Sequence, residues 1–333
     1  MNLSDTWAAL ESKPHGPDTA LLMQSSHDGV HSAVAAGLRV PDAQRVLILR
    51  LDSAQARILQ RQGMTTAITL TRLQDDRLFS GQVNIELASA DQRYQELFTL
   101  IGDDLIAQLE DDPVNAGHVI LARLDLWREF LRRREEGDTE RWARGLFGEL
   151  WYLKHHVLPH RPGLAGLGCW LGPAGAAHDF ELGACTIELK TGTTGSETVS
   201  ISSLQQLTPS PGSKLLLGHL RLRRDSQGMT LRELSASIRA MLPPEAHQLL
   251  ESRLLAAGYV EQDRELRDDL RLAVQDLRIF HVTSGFPALT VASVPVGIEQ
   301  CTYTINLASC HYFQVPTDFP WNPALEITSN NEH

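Results

Sequence analysis

Cysteine is scarce in this 333-residue chain. The four present, Cys169, Cys185, Cys301 and Cys310, lie far apart with no C-x-x-C pair, which indicates neither a disulfide framework nor a cysteine-built zinc site. No apolar run approaches the ~18 uninterrupted residues that a membrane helix needs, so no membrane partner is expected. The first residues, Met1-Asn2-Leu3-Ser4-Asp5, lack the basic-then-apolar pattern of a secretion signal, and the expected location is cytoplasmic. Basic residues are the minority charge, 30 Lys+Arg against 41 Asp+Glu, for a net charge of −11. The overall field therefore repels phosphate, and a nucleic-acid partner would have to be held by a local basic surface. The same surplus of carboxylates says little against an enzyme acting on DNA, because carboxylates are what hold magnesium.

What is there reads as a soluble globular protein, with 42% hydrophobic and 21% charged residues, and neither disordered nor collagenous. No internal repeat or long low-complexity tract occurs. Short β-favouring runs lie at 46–51, 67–70 and 82–87, and a helix is expected over 91–109 from Tyr94, Leu97, Phe98, Ile101, Leu105 and Leu109. The acidic turn Glu110-Asp111-Asp112-Pro113 then breaks the pattern. This places a soft boundary there: a smaller mixed α/β N-terminal module over 1–112, of recognition or assembly role, and a second domain over 113–333. Beyond the boundary the pattern predicts helices over 119–136 and from about 138 to 157, then strands over 177–182 and 185–191. A strand and helix start follow around 198–207, a strand over 214–224, helices over 231–241 and 244–257, and strands over 279–283, 289–294 and 301–307. The class is mixed α/β.

The most informative stretch is His178-Asp179-Phe180-Glu181-Leu182-Gly183-Ala184-Cys185-Thr186-Ile187-Glu188-Leu189-Lys190. Polar and apolar residues alternate on both sides of Gly183-Ala184, and a two-residue loop with glycine first fits a type II′ hairpin turn. In that register Asp179 lies directly opposite Glu188. One face then carries Asp179, Glu181, Thr186, Glu188 and Lys190; the other carries His178, Phe180, Leu182, Cys185, Ile187 and Leu189. Two carboxylates facing each other across a ladder, with Cβ atoms ~5 Å apart, repel, and a hard divalent cation would compensate. Lys190, two residues on, could offset charge or orient a water. Asp, Glu and Lys around a half-hydrated metal are the parts for metal-assisted phosphodiester hydrolysis. The competing reading is a hairpin with one ordinary solvated face.

Upstream, Glu149 has Gly145, Leu146, Tyr152 and Leu153 as helical neighbours, so its carboxylate is expected to point inward. Buried glutamates are paired or metal-bound; an arginine partner is the alternative to a metal. Gly145 and Gly148 would let this helix approach a sheet closely. His155, His156, His160 and His178 crowd together, and a zinc hydrolase built on them is a third possibility, but no H-E-x-x-H spacing supports it. For phosphate contact the candidates are Arg132, in the run Arg132-Arg133-Arg134, and Arg221 and Arg223, which share a strand face.

A helix with an inward glutamate followed by D-(x8)-E-x-K resembles the PD-(D/E)XK nuclease superfamily. More narrowly, Gly145-Leu146-Phe147-Gly148-Glu149-Leu150, Trp170-Leu171-Gly172-Pro173, His178-Asp179-Phe180, Ile187-Glu188-Leu189-Lys190 and Ser202-Ser203-Leu204-Gln205-Gln206-Leu207 are similar to a bacterial group assigned to that superfamily. The resemblance implies a restriction-endonuclease-like central mixed sheet flanked by helices, and Mg2+-dependent cleavage of double-stranded DNA, with Mn2+ able to substitute. It places metal ligation on Asp179, Glu188, the carbonyl of Leu189 and Glu149. It places Lys190 beside the attacking water and Gln206 (or Gln205) as a secondary site residue. The proline that names the motif is replaced by His178. The group's likeness to restriction-modification and phage-defence endonucleases implies that setting, with a homodimer or partner subunits. The alternative from another class is a catalytically silent subunit that keeps the fold and binds DNA or a partner protein.

Overall fold

The computed structural model describes residues 3–14, 16, 19–25, 34–40, 42–59, 68–73, 82–89, 95–112, 114–135, 139–210, 212–261, 270–295, 297–298 and 301–321. The chain divides into two compact units, Met1–Glu135 and Glu136–His333.

The first unit contains α1 (Leu3–Glu11), β1 (Leu21–Ser25), β2 (Val34–Arg39), β3 (Gln44–Leu51), α2 (Ser53–Leu59), β4 (Ile68–Arg72), β5 (Val83–Ser89), α3 (Gln95–Asp111) and α4 (Ala116–Glu135). Its antiparallel sheet runs in the order β1-β2-β3-β5-β4. Helix α3 packs closely on it where glycine permits: a Cβ on Gly102 would come within 3.0 Å of Leu47 Cδ1 on β3, and 2.4 Å from Leu3 Cδ1 of α1. The division falls one helix later than the acidic turn at 110–113 suggested. Helix α4 belongs with the first unit because Arg123 and Trp127 on it both bond to Asp104 on α3, at 2.6 and 2.8 Å. The turn separates two helices of one unit.

The second unit contains α5 (Thr139–Tyr152), which loosens into a π turn over Leu153–Val157, then α6 (Leu164–Gly168), β6 (Phe180–Glu181), β7 (Cys185–Thr193) and β8 (Thr198–Ile201). After a 3-10 turn at Leu204–Leu207 come β9 (Lys214–Met229), α7 (Leu231–Met241), α8 (His247–Ala256), β10 (Leu272–His281) and β11 (Tyr303–Asn306). A second 3-10 turn at Leu307–Phe313 leads into β12 (Gln314–Val315). The central sheet is mixed, in the order β12-β10-β9-β7-β6, with β7 and β9 parallel and the other pairs antiparallel. A two-stranded sheet, β8 with β11, lies beside it. Helices flank the sheet, which is the expected mixed α/β architecture of a PD-(D/E)XK nuclease-like fold.

Both faces of β7 are covered. On one, Cys185, Ile187 and Leu189 join Phe147 and Leu150 of α5 and Leu234 and Ile238 of α7 in the main core. Helix α7 is fixed at its start by a complete capping box between Thr230 and Glu233. On the other, Leu217 and Phe280 pack with Val199, Ile201, Ile305, Leu307 and Cys310, so β8, β11 and the turn after them roof that face. Residues 289–294, expected as a strand, form turns and irregular backbone instead. The strand expected over 279–283 is the end of β10, which begins earlier, at Leu272.

Candidate active site

The hairpin forms in the register the alternation predicts. Phe180 pairs with Ile187 and Glu181 with Thr186, and Gly183 takes φ +84° at the first loop position, the conformation a II′ turn demands of its leading residue. Asp179 and Glu188 are the next pair in that series. The ladder stops short of them: Asp179 Oδ2 accepts the Leu189 N–H at 2.7 Å, so a side chain takes the place of the next backbone rung. The Asp179 carbonyl accepts from Leu171 N and Gly172 N at 2.8 and 3.1 Å. Asp179 is thus held from two sides. Within an extended strand a residue's N–H and C=O point to the same side, so the Leu189 carbonyl also faces β6.

Glu188 is only 3% exposed, and Thr186 beside it is buried too. That rules out a solvated face at the Glu188 end of the hairpin; Glu181, on the same face nearer the turn, is exposed. Lys190 Nζ lies 2.7 Å from Glu188 Oε1. Burial and the facing Asp179 charge push the Glu188 carboxyl up to about 8, against the pull of Lys190. Burial also raises Asp179, against the pull of the Leu189 N–H and Lys190. The charges of this trio sum to −1 when all are ionised, and a proton retained on the pair balances them in the metal-free chain.

Glu149 reaches the same space from α5. A Cβ built on Gly172 would lie 2.8 Å from Asp179 Oδ1 and 3.3 Å from Glu149 Oε2, so both carboxylates border one glycine. Trp170 Nε1 donates to Glu149 Oε2 at 2.8 Å. Gly148 brings the helix down onto the sheet, its absent Cβ falling 2.3 Å from Thr191 Cγ2. Gly145, expected to share that role, has no neighbour within 4 Å of a built Cβ. Among the described residues no group of three or more His, Cys, Asp or Glu side chains is close enough to hold one metal ion. The facing pair is therefore two carboxylates with a third at their border. Two carboxylates and a carbonyl suit a hard cation that keeps several waters, as magnesium does.

The remaining candidates divide. His178 is buried, its Nε2 without a hydrogen-bond partner among the described residues, and burial lowers its pKa against the pull of the Gln205 and Thr208 backbone. Gln206 Oε1 accepts from Ser202 N and Oγ at 2.9 and 3.2 Å, bonds within its own turn. Arg221 lies on the face of Lys190 but forks Asp276, with Nη2–Oδ2 at 2.7 Å, and reaches Glu197. Arg223 pairs with Asp225 at 2.7 Å. Arg132 falls in α4, with its side chain outside the described residues. His155, His156 and His160 are engaged in ring contacts with Trp151, Tyr152 and Trp321, and burial lowers His156 to about 4. Trp170, Gly172, Glu197 and His219 received no role from sequence. For the first two the signal was their place in the W-L-G-P run; for the others there was none, because a lone Glu or His in a strand pattern is unremarkable.

Over residues 3–308 the chain matches the family described as "Putative PD-(D/E)XK family member, (DUF4420)". The chain belongs to that family. PD-(D/E)XK proteins are usually nucleases that work with a divalent metal, and a nuclease-type enzyme is the functional class this membership supports. No curated protein and no solved structure matches the chain. Among the described residues no helix is long and apolar enough to cross a membrane.

Proposed function

We propose that this PD-(D/E)XK family member is a Mg2+-dependent DNA endonuclease, acting in restriction-modification or phage defence. The observation that carries the reading is the buried Asp179–Glu188 pair with Lys190 on the same face. Unpaired, two such charges would be strongly unfavourable, and a nuclease needs them. Asp179, Glu188 and the Leu189 carbonyl would hold the cation, with Glu149 contributing directly, through water or at a second position. The cation would lower the pKa of a bound water and offset charge on the phosphate. Lys190 Nζ would orient and help deprotonate the attacking water and stabilise charge developing on the phosphoryl oxygens. Trp170 fixes the direction of the Glu149 carboxylate. Gln206 would hold the turn against which His178 rests. Bond cleavage by water requires no covalent enzyme intermediate. The N-terminal unit would select DNA sequence or assemble the protein as a homodimer or with partner subunits, since cutting both strands favours two centres.

The test is cleavage of methylated and unmethylated plasmid DNA with and without Mg2+ or Mn2+, wild type beside Asp179→Ala and Lys190→Ala. Both variants should keep a cooperative melt and lose about a hundred-fold or more in rate. Unchanged cleavage by either, with contaminating nucleases excluded, would falsify the assignment. Tight DNA binding without cleavage under either metal, with cognate sites present, would favour the silent binding subunit.

A further inference from the structure

The sheet face that carries Glu188 and Lys190 continues sideways into a charged network. Lys190 on β7 is in register with His219 on β9, and His219 with Arg278 on β10. Gly192 is likewise in register with Arg221, and Arg221 with Asp276. All of these point to the face of Glu188. Arg278 Nη2 donates to His219 Nδ1 at 3.2 Å. His219 is fully buried, its ring filling the space over Gly192, where a Cβ would fall 2.5 Å from Nε2. Strands lie ~4.8 Å apart, so Arg278 stands about 10 Å from the β7 backbone, a reach on the order of one or two nucleotides.

Two carboxylates answer the two guanidinium groups, and they are not equivalent. Asp276 sits on β10 between the arginines. Glu197 comes from outside the central sheet, at the end of the connection from β7 to β8. Its Oε1 lies 3.1 Å from Arg221 Nη1 and its Oε2 2.8 Å from Arg278 Nη1, so one carboxylate bridges both arginines as a phosphate group would. Glu197 is also the outermost member: its side chain is 40% exposed, against 21% for Arg221 and 19% for Arg278. An anion arriving from solvent meets it first. Without Glu197 the network carries two positive charges and one negative, which matches the single charge of a phosphodiester.

We propose that Arg221 and Arg278 form a fork for a DNA backbone phosphate flanking the cleavage point, and that Glu197 is a built-in carboxylate occupying that fork until the strand displaces it. The inference rests on the nuclease reading above and adds a phosphate subsite and an internal competitor to it. It also explains how an acidic protein avoids holding nucleic acid indiscriminately: each binding event must first displace an ion pair.

The test measures anisotropy of a labelled duplex with the full chain, Ca2+ replacing Mg2+ to suppress cleavage. Glu197→Gln should tighten binding about two- to five-fold, the worth of one partly exposed ion pair. Arg278→Gln should weaken it and lower the salt slope by about 1. Arg278→Lys, which keeps the charge but loses the two-pronged donor, should also weaken it. In the Arg278→Gln background the gain from Glu197→Gln should largely disappear. Glu245→Gln makes the same change in net charge on the opposite side of the sheet and should leave affinity unchanged. The proposal is overturned if Glu197→Gln binds no tighter, gains no more than Glu245→Gln, or gains equally without Arg278. A wild type that neither binds nor cleaves DNA overturns the nuclease reading as well; a wild type that cleaves, with Glu197→Gln affinity unchanged, overturns the fork alone.

Discussion

At the scale of single residues, the state of Glu188 governs the pH behaviour. Its pKa stands at about 8 in the folded chain against an ordinary 4.5, so folding takes up a proton there. The stability this contributes is complete below about pH 4.5 and is lost as pH rises through 8. The metal-free wild type should therefore lose Tm between about pH 6 and 9 relative to Glu188→Gln, by roughly 3–8 °C. Parallel thermal melts of the two proteins check this, and equal pH dependence would contradict it. A bound cation needs the deprotonated pair, so at a fixed, subsaturating Mg2+ concentration Tm should rise more at pH 8 than at pH 6. Trp170→Phe removes the indole N–H from Glu149 and should lower cleavage about ten-fold. Because the ring is fully buried, the smaller phenyl should also cost roughly 1–2 kcal/mol of stability, so rate and denaturation midpoint are read side by side. At this scale the acids and the lysine were legible in the sequence because a two-residue turn and strict alternation fix who faces whom. Trp170 as the Glu149 partner was not, because it depends on the segment 169–172 lying beside β6, a pairing without a local pattern.

At the scale of elements, β7 is buried over Cys185–Leu189 and partly exposed from Lys190 onward, and glycines set how near its neighbours come. Gly148→Ala places a methyl 2.3 Å from Thr191 Cγ2 and should cost about 1–3 kcal/mol in urea denaturation. Thr191→Ser in that background removes the opposing methyl and should restore part of the loss; strict additivity would count against the contact. Gly172→Ala intrudes 2.8 Å from Asp179 Oδ1 and should depress cleavage far more than stability, read as rate against denaturation midpoint. Helices α5, α7 and α8 and the hairpin followed from periodicity; α6 did not, because its segment is rich in glycine. The first part of strand β10, 272–278, was missing from the reading because Asp276 and Arg278, its most polar residues, are half-buried in ion pairs, so its alternation looks like loop. Strand β2 escaped for a related reason: it is buried almost throughout, and continuous burial erases the alternation that marks a half-exposed strand.

At the scale of the whole molecule, a net charge of −11 leaves DNA binding to a small set of cations. Lys190, Arg221, Arg223 and Arg278 are the basic side chains in β7, β9 and β10 identified near the site. The slope of log K against log salt should be no steeper than about −4, and a titration from low to moderate salt would expose a larger footprint if one existed. The roof over the Glu188 face comes from Ile305, Leu307 and Cys310, more than a hundred residues downstream of the strand that carries the carboxylate. During synthesis the acids and the lysine emerge long before their cover does. A growing chain thus presents these carboxylates to solvent until the later strands settle over them, and only the folded unit holds them buried.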